Sequence, residues 1–247
     1  MLSFHLLPHT VKIKLLLVLI ISASHLFSIG QTAIVHTNNG AKKVLDGDLR
    51  GAVAEFEKAI ELDPDYEKAY FNMAICQYEL KDYEDAVESL TKVLAIKPGF
   101  YNAIYYRAYS NYRMKAYDAA LEDFAALIKK DPRKSDYYRY RADIFYHRED
   151  FAKAAIEYET MTQIKPTDHF ANYRMAMCML KLRKSEDAIK YLDAAIAAKP
   201  EYKEALGERG VAKLQRGDKT GCDDLKKAVE LGEKAESVME LIEKHCK

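Results

Sequence analysis

Apolar and polar residues follow a helical rhythm along most of the chain, and the pattern returns every 34 residues. Pro64, Pro98, Pro132, Pro166 and Pro200 stand 34 residues apart each time, and the one other proline, Pro8, lies near the N-terminus. With units started at Ala33, Glu67, Tyr101, Ser135, His169 and Lys203, the eighth position holds Gly40, Ala74, Ala108, Ala142, Ala176 and Gly210. The twentieth holds Ala52, Ala86, Ala120, Ala154 and Ala188, and the twenty-fourth holds the bulkier Phe56, Leu90, Phe124, Tyr158 and Leu192. A period of this length marks stacked supersecondary units. Small side chains at two fixed points let antiparallel helices approach closely, and bulky ones are expected to fill the space between neighbouring hairpins.

Each proline of the series follows a helix end such as Glu61-Leu62-Asp63. Proline lacks an amide hydrogen and clashes with the preceding turn, so it separates one hairpin from the next. Inside the units, breaks at Asp46-Gly47-Asp48, Lys81-Asp82, Lys115-Ala116, Glu149-Asp150 and Arg183-Lys184 divide a helix A from a helix B. The expected repeats are 33–66, 67–100, 101–134, 135–168, 169–202 and 203–232 within one array over 31–247. The segment 233–247 places Ala235, Val238, Met239, Leu241 and Ile242 at helical spacing and reads as a capping helix. Ten Gly and six Pro among 247 residues, against abundant Ala, Leu, Glu, Lys and Tyr, agree with an all-α chain.

Residues 1–30 break the pattern. His5, His9, Lys12 and Lys14 precede an apolar run from Leu15 to Ile21, with Ser28 and Gly30 as small residues near the end. This reads as a signal peptide cleaved after Gly30, leaving Gln31 first. The apolar run is shorter than the ~20 residues that span a bilayer, and His25 interrupts its continuation, so no transmembrane span is expected after processing. The protein is therefore expected to be exported, to a Gram-negative periplasm or outside the cell.

Charge balances at 38 basic and 38 acidic residues; taking away Lys12 and Lys14 with the leader, and no acid, leaves 36 against 38. A near-neutral chain has no field that would draw it to nucleic acid. No phosphate-cradling glycine loop, zinc-helix motif or nucleophile elbow occurs, and His36, His147, His169 and His245 are scattered without metal-ligand spacing. The expectation is a non-enzyme without cofactor or metal.

The 34-residue period, its small positions and its closing prolines resemble the tetratricopeptide repeat, over residues 33 to about 232. Arg107-Ala108 and Arg209-Gly210 resemble the Arg-Gly variant of helix A in that family. Asn39 and Lys43 stand where the family usually has large apolar residues, so repeat one is expected to act as an N-terminal cap. The resemblance implies a right-handed α-solenoid of about six hairpins plus the capping helix, stabilised by stacking between neighbours. It also implies a concave surface lined by helix A at positions two, five, nine and twelve. Those positions hold Lys68, Phe71, Ile75 and Tyr78; then Asn102, Tyr105, Tyr109 and Tyr112; then Asp136, Arg139, Asp143 and Tyr146; then Phe170, Tyr173, Met177 and Leu180. Phe71, Tyr78, Tyr105, Tyr109, Tyr112, Arg139, Asp143, Tyr146, Phe170 and Tyr173 are the expected partner-binding residues, although rings at position twelve alternatively pack between helices. Tyrosine gives large contact area and a hydroxyl, as protein interfaces favour. Asn72 and Arg174 match isolated positions of the family's dicarboxylate clamp, which Phe71, Ile75 and Phe170 leave unassembled.

Cys76 and Cys178 share the tenth position of repeats two and five and are expected as buried free thiols, since three repeats separate them. Cys222 and Cys246 lie at similar distances from the turn around Gly232, which suits a disulfide across an antiparallel pair, or two small core residues. The run Gly217 to Ala228, one residue shorter than Gly47 to Ala59, with the later Lys-His-Cys-Lys, resembles the endings of exported tetratricopeptide proteins of the Bacteroidetes. The expected function is a scaffold binding a protein or peptide in a Tyr-rich groove, the alternative being a periplasmic chaperone or carrier for exported chains.

Overall fold

The computed structural model describes residues 31–234 and 236–246. The expected signal peptide 1–30 and its cleavage point, Ala235 and Lys247 fall outside the described residues, among which there are thirteen helices and no strand. They are α1 (31–45), α2 (Leu49–Leu62), α3 (Glu67–Leu80), α4 (Tyr83–Ile96), α5 (Tyr101–Arg113), α6 (Tyr117–Lys130) and α7 (Ser135–His147). Then follow α8 (Phe151–Ile164), α9 (His169–Lys181), α10 (Ser185–Ala198), α11 (Lys203–Gln215), α12 (Gly221–Glu230) and α13 (Glu236–His245). Two compact units divide after Ala120, within α6. In the first, α2 packs on α3, α3 on α4 and α4 on α5. In the second, the helices pack consecutively from α7 to α12, and α13 lies against both α11 and α12. This is the all-α hairpin packing that the period predicts.

Every A-to-B turn is built alike. Gly47, Lys81, Lys115, Glu149, Arg183 and Gly217, all at position fifteen, adopt φ between 59° and 81°. Each left-handed residue lets two amides return to the helix end: Lys81 N–H donates to Tyr78 O at 3.0 Å and Asp82 N–H to Gln77 O at 2.8 Å. This Schellman closure satisfies carbonyls that a helix end leaves orphaned, and four of the six copies accept a non-glycine residue to obtain it. Asp48, Asp150 and Asp168 cap the following helices by accepting from amides of the first turn.

The small and large positions explain how tightly the helices pair. All the small residues at positions eight and twenty are buried, as are Phe56, Leu90, Phe124, Tyr158 and Leu192. The bulky residue serves two neighbours where only the space between hairpins was expected. Phe56 lies over Gly40 of its own hairpin, where a Cβ would come within 2.6 Å of its ring, and also packs with Met73 and Cys76 of the next. Gly210 is more constrained, because a Cβ there would lie 2.7 Å from Leu225 and 2.8 Å from the Gly221 carbonyl. That close approach places α12 against α11 despite the shorter turn of repeat six.

Polar groups enter the hairpins in a matched way. Position seven pairs with helix B: Arg141 donates to Glu157 at position twenty-three at 2.6 Å, and Arg209 binds Asp224, at position twenty-two of the shorter repeat six, bidentately at 2.5 and 2.8 Å, with Lys213 adding a third bond at 2.9 Å. Cys222 and Cys246 form a disulfide with Cα atoms 5.5 Å apart, joining the start of α12 to the end of α13. Of the described α13 residues only Val238 is buried. Cys76 and Cys178 are free and buried. In repeat one, Ile34 and Val35 are half exposed and Leu45 is 88 % exposed.

Candidate functional site

In the first unit, the five predicted residues fall into one sheet of rings on α3 and α5. Phe71 lies 4.7 Å from Phe100 and 6.1 Å from Tyr106 between centroids; Tyr78 lies 5.2 Å from Tyr106 and 5.5 Å from Tyr109. Tyr105 meets Tyr106 at 5.5 Å and Tyr109 meets Tyr112 at 6.1 Å. Most of these contacts are tilted or edge-on, which ring quadrupoles favour. Burial, then the neighbouring Tyr109 and Tyr105, push the Tyr78 hydroxyl well above the usual phenol range. All five rings remain half buried.

Position twelve has a specific partner. Tyr78 packs on Tyr83 at 5.9 Å, Tyr112 on Tyr117 at 6.4 Å and Tyr146 on Phe151 at 5.1 Å, in each case the first residue of the following helix B. These rings join the two helices of their own hairpins beside the turn. Position five repeats another contact: Phe71 on Phe100 is matched in the second unit by Tyr173 on Tyr202 at 5.1 Å.

In the second unit, the predicted polar residues are engaged internally. Asp143 accepts from Tyr158 Oη at 2.5 Å and from Arg174 at 3.0 Å, while Arg174 Nε donates to Tyr158 at 2.9 Å. The Arg174 guanidinium also lies 4.2 Å from the Tyr146 ring centroid. Arg139 stacks over Tyr140 at 4.7 Å and donates to its hydroxyl at 3.0 Å, although its buried Nε finds no partner. Phe170 packs beside the core with Tyr173. Arg174, which matches a clamp position, is thus committed to the interior.

A cleft of about 500 Å³ opens in the first unit between α1, α3 and the start of α5. Ile34, Ala41, Phe71 and Phe100 supply apolar walls, and Asn38, Asn72 and Lys68 line it without any hydrogen bond or ion pair to a described residue. Free amides beside apolar walls match what an extended peptide presents, namely unpaired backbone groups and side chains that seek cover.

The residues that join the predicted ones on this face stand mainly at positions six, seventeen and thirty-four, of which the sequence had singled out only Asn72 and Arg174. Position six runs Asn38, Asn72, Tyr106, Tyr140, Arg174 and Glu208, and position thirty-four carries Tyr66, Phe100 and Tyr202. Their aromatic recurrence was visible in the 34-residue alignment; that they complete the predicted face depends on helix pairing. Among the described residues, no three His, Cys, Asp or Glu side chains gather as a metal cluster, and no helix is long and apolar enough to cross a membrane.

Antiparallel hairpins stacked on a 34-residue period define a helical repeat protein. The chain belongs to the tetratricopeptide repeat family: tetratricopeptide profiles match residues 44–108, 105–169 and 173–221, together more than half of it. Among solved structures it is similar to the MamA protein, with 22% identity and a TM-score of 0.65 over 70% of this chain and 94% of that one. YrrB, described as a TPR protein with an unusual peptide-binding site, gives 20% identity and a TM-score of 0.63 over 70% and 90%. The C-terminal part of a TPR protein from Cytophaga hutchinsonii gives 18% and 0.68 over 79% and 78%. Likeness at this identity concerns the fold. No curated protein matches the sequence.

Proposed function

We propose that this protein is an interaction scaffold that holds an extended segment of a partner protein on the helix-A faces, and that it works outside the cytoplasm without catalysing a reaction. The observation that carries this reading is the cleft of the first unit, where unpaired Asn38, Asn72 and Lys68 stand among the apolar walls of Ile34, Phe71 and Phe100. The ring sheet of Phe71, Tyr105 and Tyr109 extends the apolar surface along α3 and α5. The peptide-binding site ascribed to YrrB is consistent with a similar use of the fold here. Export is supported by the leader-like residues 1–30 and by the Cys222–Cys246 bond, since disulfides persist in oxidising compartments. The ending that resembles Bacteroidetes proteins points to a Gram-negative envelope or its exterior.

A second reading, a chaperone or carrier that shields exported chains, is favoured by the exposed Ile34, Val35, Val44 and Leu45 on α1. Affinity capture from envelope extract with wild type and with Phe71→Ala/Asn72→Ala separates them. The scaffold reading expects one stoichiometric protein, lost in the double variant while its helical signal is retained. A broad mixture of unfolded chains selects the chaperone. A partner retained at full affinity by the folded double variant removes the cleft from either account.

A further inference from the structure

Position six of α11 is Glu208. It lines a cleft of about 430 Å³ between α9 and α11 in the second unit, with Met177, Leu180 and Val211 as apolar walls. The side chain is half buried and makes no hydrogen bond or ion pair with a described residue. Burial pushes its carboxyl above the usual range, Lys181 opposes that shift and Glu233 adds to it. The same charge helps to raise the hydroxyls of Tyr173 and Tyr146, behind the effect of their own burial.

A carboxylate taken partly out of water without a donor is costly, and a donor arriving with a ligand regains that loss. The nearby cation Arg174 cannot supply it, being held by Asp143 and Tyr158. Lys181 and Arg183 stand exposed at the mouth of the cleft, where water already solvates them. Lys and Arg side chains join an aliphatic stem to a charged head. Such a stem suits Met177, Leu180 and Val211, and the head suits Glu208. We propose that the cleft between α9 and α11 takes a Lys or Arg side chain of the bound protein segment, with Glu208 as its counter-charge. This rests on the reading of the helix-A faces as partner-binding, and it gives the second unit a preference for basic segments that the Asn- and Lys-lined cleft of the first does not share.

The test uses the full mature chain and two blocked pentapeptides, Leu-Leu-Arg-Leu-Leu and its counterpart with norleucine in place of arginine, titrated into the millimolar range and followed by calorimetry. The arginine peptide is expected to bind roughly tenfold more tightly, the value of one charge-assisted hydrogen bond of modest strength. Glu208→Gln, nearly isosteric, abolishes that preference while the helical signal stays unchanged. Lys181→Ala increases it several-fold by removing a competing cation at the cleft. The proposal is overturned if wild type shows no preference or no binding, or if Glu208→Gln keeps the preference. In each of those cases the scaffold reading still stands or falls separately, on capture by wild type against Phe71→Ala/Asn72→Ala.

Discussion

The helix-A faces of the two units are written in the same register and work differently. In the first, position six is Asn72 and then Tyr106, so the face combines unpaired amides with rings that touch mainly other rings. In the second, position six is Tyr140, then Arg174 and then Glu208; Arg174 is absorbed into the Asp143–Tyr158 network and Glu208 has no hydrogen bond or ion pair with a described residue. One repeat framework thus supports an open face and an internally bonded one, because a position that points between helices is structural or free according to what its neighbours supply. The side chain type at a register position does not reveal its role until the groups opposite it are known.

The largest expected effect tests that contrast directly. Arg174→Met strands the Asp143 carboxylate and is expected to cost about 2–3 kcal/mol in urea unfolding, somewhat below the loss for a fully buried pair because the site is partly open. Its register counterpart Asn72→Ala is expected to stay within about 0.5 kcal/mol, having no internal partner to lose. Equal losses would erase the distinction between the faces.

Next comes the end of the second unit, which has a covalent tie where the first has none. Cys222→Ser with Cys246→Ser, or reduction, removes at most about 3 kcal/mol of loop-closure stabilisation. Because α13 buries little beyond Val238, hydrogen exchange should show α13 opening while α9 to α12 keep their protection. Uniform loss along the unit would mean that the disulfide supports more than its own helix.

A smaller effect should be shared by both units. Lys81→Gly and Lys115→Gly in the first, and Glu149→Gly and Arg183→Gly in the second, relieve left-handed strain and should each gain about 0.5–1 kcal/mol after the entropy that glycine adds to the unfolded chain. A gain confined to one unit would show that the turns are not equivalent.

The smallest effect is acid sensitivity in the first unit. Hydrogen bonds from His36 and Lys58 hold the Glu55 carboxyl at about 2, below its ordinary 4.5. A depressed carboxyl contributes stability above 4.5 that is lost as pH falls from there toward 2. Glu55→Gln should flatten the decline of Tm over that window. The same slope in both proteins would show that the bonds to His36 and Lys58 contribute nothing to folding.

Much of the fold was legible because it is local and repeated. Proline ends a helix wherever it falls, and the small residues at positions eight and twenty declared which faces meet. The candidate site was legible only in outline. Positions five and nine supplied half-buried rings of α3 and α5, whereas position twelve packs on Tyr83, Tyr117 and Phe151, contacts that join two helices and leave no trace in the period of either. Asp143 reads as a surface acid until Arg174, 31 residues away, is placed beside it.

The sequence by itself determined the helices, their breaks, the pairing of small with large positions and the spacing of the cysteines, since each depends on intrinsic backbone preference or on a period. The tertiary structure decided which polar groups are consumed and which stay free, that Cys222 and Cys246 are joined, and where clefts open between helices. Those outcomes depend on distances between side chains far apart along the chain, and packing alone sets such distances.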